Sequence, residues 1–310
     1  MEIVILSGKG GTGKTTLAGM FARMAENKIM VDADVDASNL HLMMGGRISQ
    51  SGDFVSGIKA FIPEEKCIAC GICLDYCRFD AIKYEENDSV FGARFWIDDY
   101  ACEGCGVCAE FCPEKVIELK DVTAGKWFLS ETDYGLLVHA QLGVAQSNSG
   151  KLVTLLRKKA GDLAQSDGRD LIITDGPPGI GCPVIASVTG ADYILIVTEP
   201  SMAARHDLER VLELVSHFNL PAGVCINKCD INPDVTANIE QLARANSASI
   251  LGKIPYDSQV VRAQAGEKRW MENISRQTAG ELESLWRNLT NDLKQKTDKK
   301  TKLKLFGSSE

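Results

Sequence analysis

The fold is decided by the stretch Gly8-Lys9-Gly10-Gly11-Thr12-Gly13-Lys14-Thr15-Thr16 near the start of the 310-residue sequence. A short apolar run, Glu2 to Leu6, precedes it, and the segment from Thr15 to Asn27 repeats apolar residues at helical spacing. This order predicts a strand, a glycine-rich loop and a helix. In such an arrangement, the backbone N–H groups at the start of the helix can hold a phosphate.

The loop fits two phosphate-binding motifs. Gly8 to Gly13 satisfies G-x-G-x-x-G, and Gly8 to Thr15 satisfies G-x-x-x-x-G-K-S/T. Only the second motif includes Lys14, which can reach the outer phosphates, and Thr15, which can hold Mg²⁺. We therefore favour a nucleoside triphosphate over a dinucleotide, although Asp32 lies near the distance expected of a ribose-binding acid. The expected backbone cradle comprises Gly8, Gly10, Gly11, Thr12, Gly13, Lys14, Thr15 and Thr16.

Carboxylates follow two further apolar runs. Asp32 and Asp34 come after Lys28 to Val31, and Asp175 ends the run that begins at Leu171. Strands are also predicted at 193–198, 222–227 and 249–254, separated by helical patterns. This alternation predicts an α/β fold with a mostly parallel sheet, helices on both faces and ligands at the carboxyl edge of the strands.

The glycine-rich stretch resembles the deviant Walker A motif of the MinD, ParA and Mrp ATPases, because a second lysine, Lys9, lies inside the loop. The resemblance implies that the chain binds and hydrolyses ATP, releasing ADP. It also implies that Lys9 reaches the nucleotide of a second subunit, in an ATP-dependent homodimer or a paralogous heterodimer. The simpler alternative for Lys9 is a solvated loop lysine.

The same resemblance assigns roles to residues in the later segments. It implies that Asp34 orients the attacking water and that Thr15, Asp32 and Asp175 hold Mg²⁺. The segments at Asn227 and Pro255 are similar to those that contact adenine in the family. Asn227 also has a conformational alternative, since asparagine favours turns. Asp36 stands where relatives often have a small residue or proline, and we assign it no role.

Eight of the 11 cysteines form two copies of one pattern, C-x2-C-x2-C-x3-C, which begin 35 residues apart. Such runs are typical of bacterial ferredoxins, where the fourth cysteine serves the other cluster. The predicted ligands of one 4Fe-4S cluster are Cys67, Cys70, Cys73 and Cys112. Those of the second are Cys102, Cys105, Cys108 and Cys77. Zinc is the alternative, but it normally uses C-x2-C pairs that lie further apart.

The cysteine runs define the predicted domains. An inserted α+β ferredoxin domain at 61–129 interrupts an ATPase domain at 1–60 and 130–290. Residues 64–121 contain 14 acidic and 6 basic side chains, which accounts for the net charge of −8. A module this small depends on its metal for stability. The lysine-rich tail at 291–310 is predicted to be disordered, with a weak membrane-binding helix as the alternative.

Composition and charge exclude several classes of function. The acidic balance without a basic stripe argues against nucleic acid as a partner, and no apolar run is long enough to cross a bilayer, so we expect a cytoplasmic protein. The leading hypothesis is an ATPase that couples dimer closure to electron transfer or metal-cofactor assembly, with a redox partner or a cofactor-accepting protein. The alternatives are a MinD-like positioning or regulatory ATPase with redox-sensing clusters, and an electron carrier with a non-catalytic nucleotide site.

Overall fold

A computed structural model describes residues 1–86, 92–143, 148–260, 262 and 274–306, with the backbone alone described from 297 onward. The chain divides into two compact units. Unit 1 comprises Met1–Gly52, Trp127–Gln141 and Ser147–Glu310, and unit 2 comprises Asp53–Lys126 and Leu142–Gln146. The main segment of unit 2 therefore begins at 53 rather than 61 and ends at 126 rather than 129, because both boundaries fall within long strands rather than loops.

The strands are β1 (Glu2–Ser7), β2 (Lys28–Asp32), β3 (Arg47–Phe61), β4 (Ile82–Glu86), β5 (Ala93–Ile97), β6 (Glu118–Thr132), β7 (Gly135–Leu142), β8 (Leu171–Pro178), β9 (Tyr193–Thr198), β10 (Ala222–Asn227) and β11 (Ser249–Ile254). The helices are α1 (Lys14–Met24), α2 (Leu40–Met44), α3 (Ile72–Tyr76), α4 (Val107–Phe111), α5 (Gly150–Ser166), α6 (Cys182–Val188), α7 (Met202–His217), α8 (Pro233–Ala245) and α9 (Arg276–Phe306).

Nine of these strands form one sheet in the order β11-β10-β9-β1-β8-β2-β7-β6-β3. Every neighbouring pair from β11 across to β7 is parallel. The predicted α/β class and mostly parallel sheet are thus confirmed. Because parallel strands end at the same edge, the residues that follow β1, β2, β8, β9 and β10 are brought together there.

Helices cover both faces of the sheet. On one face, Phe21 of α1 and Leu285 and Leu289 of α9 pack in a core of buried side chains. On the other, Leu208 of α7 and Ile239 of α8 belong to a second buried cluster. Burial on both faces explains why β1 and β9 are apolar along nearly their whole length rather than alternating.

The expectation of a disordered tail at 291–310 is corrected as far as Phe306, and residues 307–310 lie outside the described part of the chain. Helix α9 continues through Phe306 in the backbone. Leu282, Leu285, Leu289 and Leu293 recur at helical spacing and are each at most 5% exposed. This apolar stripe holds the helix against unit 1 and overrides the polar composition of its other faces. Among the described residues, no helix has the length and apolar character that a membrane span requires.

Unit 2 contains a two-stranded antiparallel sheet and two short helices. Strands β4 and β5 pair in the register Ile82 to Ile97. Helices α3 and α4 each follow a glycine with φ near +77°, at Gly71 and Gly106. A small core of Ile62, Ile82, Phe95 and Ile117 surrounds several of the cysteines.

Candidate nucleotide site and paired cysteine cavities

The phosphate loop lies between the end of β1 and the start of α1, at the carboxyl edge of the sheet. Gly13 caps α1 with φ of +95°, and a Cβ there would collide with the amide of Asn227. A Cβ at Gly8 would collide with Asp207 on α7. Glycine is therefore required at both positions by close approach, and at Gly13 also by its backbone conformation.

Lys14 is buried and joins β8 to the segment that follows β2. Its Nζ lies 2.7 Å from Asp175 Oδ1 and 3.1 Å from Asp34 Oδ2. Burial lowers the pKa of Lys14, but Asp175 and Asp34 outweigh burial and raise it above its ordinary value. The lysine that the motif assigns to outer phosphates is thus held here by carboxylates from β8 and from the segment after β2.

Several buried oxygens around Lys14 have no hydrogen-bond partner among the described residues. They include Thr12 Oγ1, Asp32 Oδ1 and Asp175 Oδ2. Asp32 and Asp175 stand opposite each other in the register of β2 and β8. Burial and the charge of Asp175 raise the pKa of Asp32 to about 7. Two adjacent carboxylates with unpaired oxygens are the kind of ligands that Mg²⁺ prefers.

Lys9 is bound within its own chain. Its Nζ forms an ion pair of 2.7 Å with Glu199 and lies 3.3 Å from Ser201 Oγ. Glu199 also binds Lys228 at 2.8 Å, and Lys228 Nζ donates to the carbonyl of Gly11 at 3.2 Å. Sequence reasoning missed Glu199, although it follows β9 at the edge of the sheet where other carboxylates were expected.

A cavity beside the loop contains the predicted adenine-side residues. Its lining includes Gly11, Gly13, Thr16, Leu17, Met20, Asn227, Lys228, Ile254, Pro255, Tyr256, Asp257 and Thr278. The Asn227 amide, however, donates to the carbonyl of Thr12 at 2.8 Å, and its Oδ1 accepts from the Lys228 N–H. In this structure Asn227 braces the phosphate loop, and its contact with a base remains a prediction.

In unit 2, the predicted ligands of each cluster line one cavity. Cys67, Cys70, Cys73 and Cys112 surround the first, and Cys77, Cys102, Cys105 and Cys108 surround the second. Each cavity takes three cysteines from one run and the fourth from the other, as predicted from the repeat. The third cysteine of each run lies on α3 or α4, and the fourth lies at the residue after the helix.

None of the described cysteines forms a disulfide. Burial and neighbouring Cys67 raise the pKa of Cys73 to about 11. A cluster of thiols fits a metal centre, because bound iron stabilises the thiolate form that burial disfavours. In the described part of the chain, no three His, Cys, Asp or Glu side chains converge as ligands of a single metal ion. Cluster ligation therefore remains a prediction supported by the shared cavities.

The parallel sheet, the phosphate loop at the start of α1 and the carboxylates at the same edge define a P-loop nucleotide-binding protein. Residues 3–270 match the CobQ/CobB/MinD/ParA nucleotide binding domain family. The chain belongs to this family of MinD/ParA-type P-loop ATPases.

Individual relatives agree with this assignment. The chain is 35% identical over 236 residues to an uncharacterized protein of Methanocaldococcus jannaschii, covering 75% of this chain and 79% of that protein. It is 25% identical over 270 residues to the septum site-determining protein MinD of Bacillus subtilis, covering 84% and 78%. The fold matches the MinD cell division protein of Aquifex aeolicus with a TM-score of 0.54 and 20% identity, covering 94% and 96%.

These relatives bear on the alternatives left open by the sequence. Where their names state a function, it concerns septum-site determination or cell division, and none of the names concerns iron–sulfur chemistry. The MinD-like positioning or regulatory ATPase is therefore closer to the comparisons than electron transfer. The cluster prediction rests on the cysteines of this chain alone.

Proposed function

We propose that this chain is an ATP-hydrolysing switch of the MinD type, which dimerises around ATP and whose activity responds to two iron–sulfur clusters in unit 2. The observation that carries the proposal is the position of Lys14, bound to both Asp34 and Asp175. One buried cation thus joins the residue to which the family resemblance assigns the attacking water, Asp34, to a proposed magnesium ligand, Asp175. An incoming phosphate competes for that cation and changes the partners of both aspartates.

The residues at the sheet edge fit ATP with Mg²⁺. Thr12 Oγ1, Asp32 Oδ1 and Asp175 Oδ2 are buried oxygens without partners. Thr15, Asp32 and Asp175 would hold the ion, directly or through water. Bound Mg²⁺ supplies positive charge that offsets the charge of the phosphates. Burial and Asp175 raise the pKa of Asp32, and a bound cation would offset both effects by favouring the ionised carboxylate.

The chain's own residues then have separate tasks. Lys14 exchanges its carboxylate partners for the outer phosphates, which releases Asp34 to orient water. Lys9 leaves Glu199 and Ser201 and reaches the nucleotide of the second subunit. Asn227 keeps the phosphate loop in place through its bond to Thr12. The cavity lined by Pro255 and Tyr256 receives the base and ribose.

A second candidate function is electron transfer or cofactor assembly driven by ATP. The two cysteine cavities favour it, because a pair of clusters in one small unit is typical of electron-carrying ferredoxins. Both candidates require clusters, and they differ in the direction of control. In the regulatory function the clusters control the ATPase, whereas in the second function hydrolysis controls what the clusters deliver.

The cluster assignment predicts about eight irons per chain after anaerobic purification, and a specific response to paired substitutions. If ligation crosses between the runs, Cys77→Ser combined with Cys102→Ser affects only one cluster and leaves about four irons. Cys77→Ser combined with Cys67→Ser then affects both clusters. Iron analysis and electron paramagnetic resonance of the reduced proteins measure this difference. Cys182→Ser is the matched control, because Cys182 lies outside both cysteine runs.

The reverse pattern in the two double variants would show that each run binds its own cluster. Zinc in place of iron would reject the clusters altogether.

The direction of control can be tested with a dye that accepts electrons from the reduced clusters. We expect the ATPase rate to differ between oxidised and reduced protein, while dye reduction proceeds equally with ATP and a non-hydrolysable analogue. An Asp34→Ala variant, which should bind ATP without turnover, is the control. Dye reduction that requires hydrolysis, and that is lost in the control, would establish electron delivery as the function instead.

A further inference from the structure

The two oxygens of Asp32 have different surroundings. Oδ2 accepts a hydrogen bond from Ser38 Oγ at 2.8 Å and another from the Leu40 N–H at 3.2 Å. Oδ1 is buried and has no partner among the described residues. One carboxylate oxygen is therefore fixed by the protein, which leaves the other available to a ligand.

Ser38 is itself oriented by a histidine. Its hydroxyl proton is donated to Asp32, so Ser38 Oγ acts as the acceptor toward His41 Nδ1, which lies 3.4 Å away. This arrangement requires the tautomer of His41 that carries hydrogen on Nδ1. The serine hydroxyl thus has one direction for donating and one for accepting, and cannot rotate freely.

His41 is held in turn by a second histidine. The two rings are stacked, with 5.1 Å between the centroids of His41 and His139 and 2° between their planes. His139 Nε2 lies 2.9 Å from Ser130 Oγ on β6. Burial lowers the pKa of both rings, that of His139 to about 4, so both are neutral near pH 7.

We propose that Ser38 and His41 are positioning residues for the magnesium site: they fix Asp32 Oδ2 so that Oδ1 is presented to the cation. The proposal rests on the function proposed above for Asp32. Neither residue is part of the phosphate loop. Hydrogen-bond partners of metal ligands act in this way in other proteins, and their removal typically lowers metal affinity about 10- to 100-fold.

The test measures ADP binding by calorimetry, with Mg²⁺ and with a chelator, on the full chain purified anaerobically. In Ser38→Ala we expect the gain in ADP affinity that Mg²⁺ provides to fall about 10-fold, with the magnesium-free affinity unchanged. Ser38→Thr retains the hydroxyl and should restore the gain. Ser166→Ala is the matched control, because Ser166 also donates to an aspartate, Asp167, but at the end of α5.

Two substitutions of His41 separate the hydrogen bond from ring packing. His41→Asn retains a donor near the position of Nδ1 and should keep most of the magnesium-dependent gain. His41→Phe retains the flat ring against His139 but has no donor, so the gain should fall as in Ser38→Ala. If Ser38→Ala does not fold, the comparison of His41→Asn with His41→Phe tests the same proposal.

Three outcomes would overturn the proposal. An unchanged gain in Ser38→Ala would show that Asp32 needs no support from Ser38. An equal loss of affinity with and without Mg²⁺ would show a purely structural role. If Mg²⁺ does not increase the ADP affinity of the unaltered protein, the magnesium site itself is rejected. This outcome differs from the other two because it is seen without any substitution.

Discussion

Replacing Lys14 with alanine is expected to lower nucleotide affinity by about 2–5 kcal/mol, which corresponds to a loss of at least about 30-fold. The substitution removes the buried cation that is proposed to bind the outer phosphates. It also leaves Asp175 and Asp34 without their ion-pair partner, so the free energy of unfolding should fall by about 3–5 kcal/mol. Calorimetry with ADP and thermal unfolding measure the two effects, and Lys253→Ala, which removes an exposed lysine from a surface ion pair, is the control.

Asp34→Ala should fail at a different step. It removes one of the two carboxylates that compete with phosphate for Lys14, so ATP should bind at least as tightly as in the unaltered protein. Turnover should fall, because no group orients water, and ATP-bound dimers should accumulate. Equal loss of binding in Lys14→Ala and Asp34→Ala would contradict the roles proposed for both residues.

Mixing two inactive variants should restore part of the ATPase activity. A Lys9→Ala subunit retains Asp34, and an Asp34→Ala subunit retains Lys9. If Lys9 acts on the partner's nucleotide, each heterodimer contains one site with both groups intact. By analogy with an arginine finger, the intact site should turn over about 10³-fold faster than either variant alone.

The control for this experiment is each variant alone at the same total concentration. Differently tagged subunits allow heterodimers to be counted in the same sample. Heterodimers that form but remain inactive would show that Lys9 does not act across the interface. Its role would then be confined to the contacts with Glu199 and Ser201 in its own chain.

Much of the candidate site was predictable because its signals are local. The strands at 193–198, 222–227 and 249–254 have the predicted bounds, since apolar runs between helical patterns determine them directly. Asp32 and Asp175 were expected at one edge because parallel strands share that edge. The grouping of cysteines was also expected, because the repeat itself specifies which cysteine crosses to the other cavity.

Other features could not be read from local patterns. Strands β3 and β6 are each 15 residues long and cross the expected domain boundaries. Many of their side chains are polar and exposed, so their strand conformation is stabilised by hydrogen bonds to neighbouring strands rather than by an apolar pattern. The lysine-rich composition of the tail predicted disorder, but Leu293 lies on an apolar stripe of α9 that packs against the core. In both cases distant partners decide the local structure.

The sequence by itself determined the class of fold, the phosphate loop and the set of thiols, since each depends on residue types and on their spacing along the chain. Only the tertiary structure decided that Lys14 joins Asp34 to Asp175, that Glu199 holds Lys9 and that Ser38 links His41 to Asp32. Lys14 and Asp175 are 161 positions apart in the chain. This contact follows from the order of strands in the sheet, which places β1 beside β8 regardless of their separation in sequence.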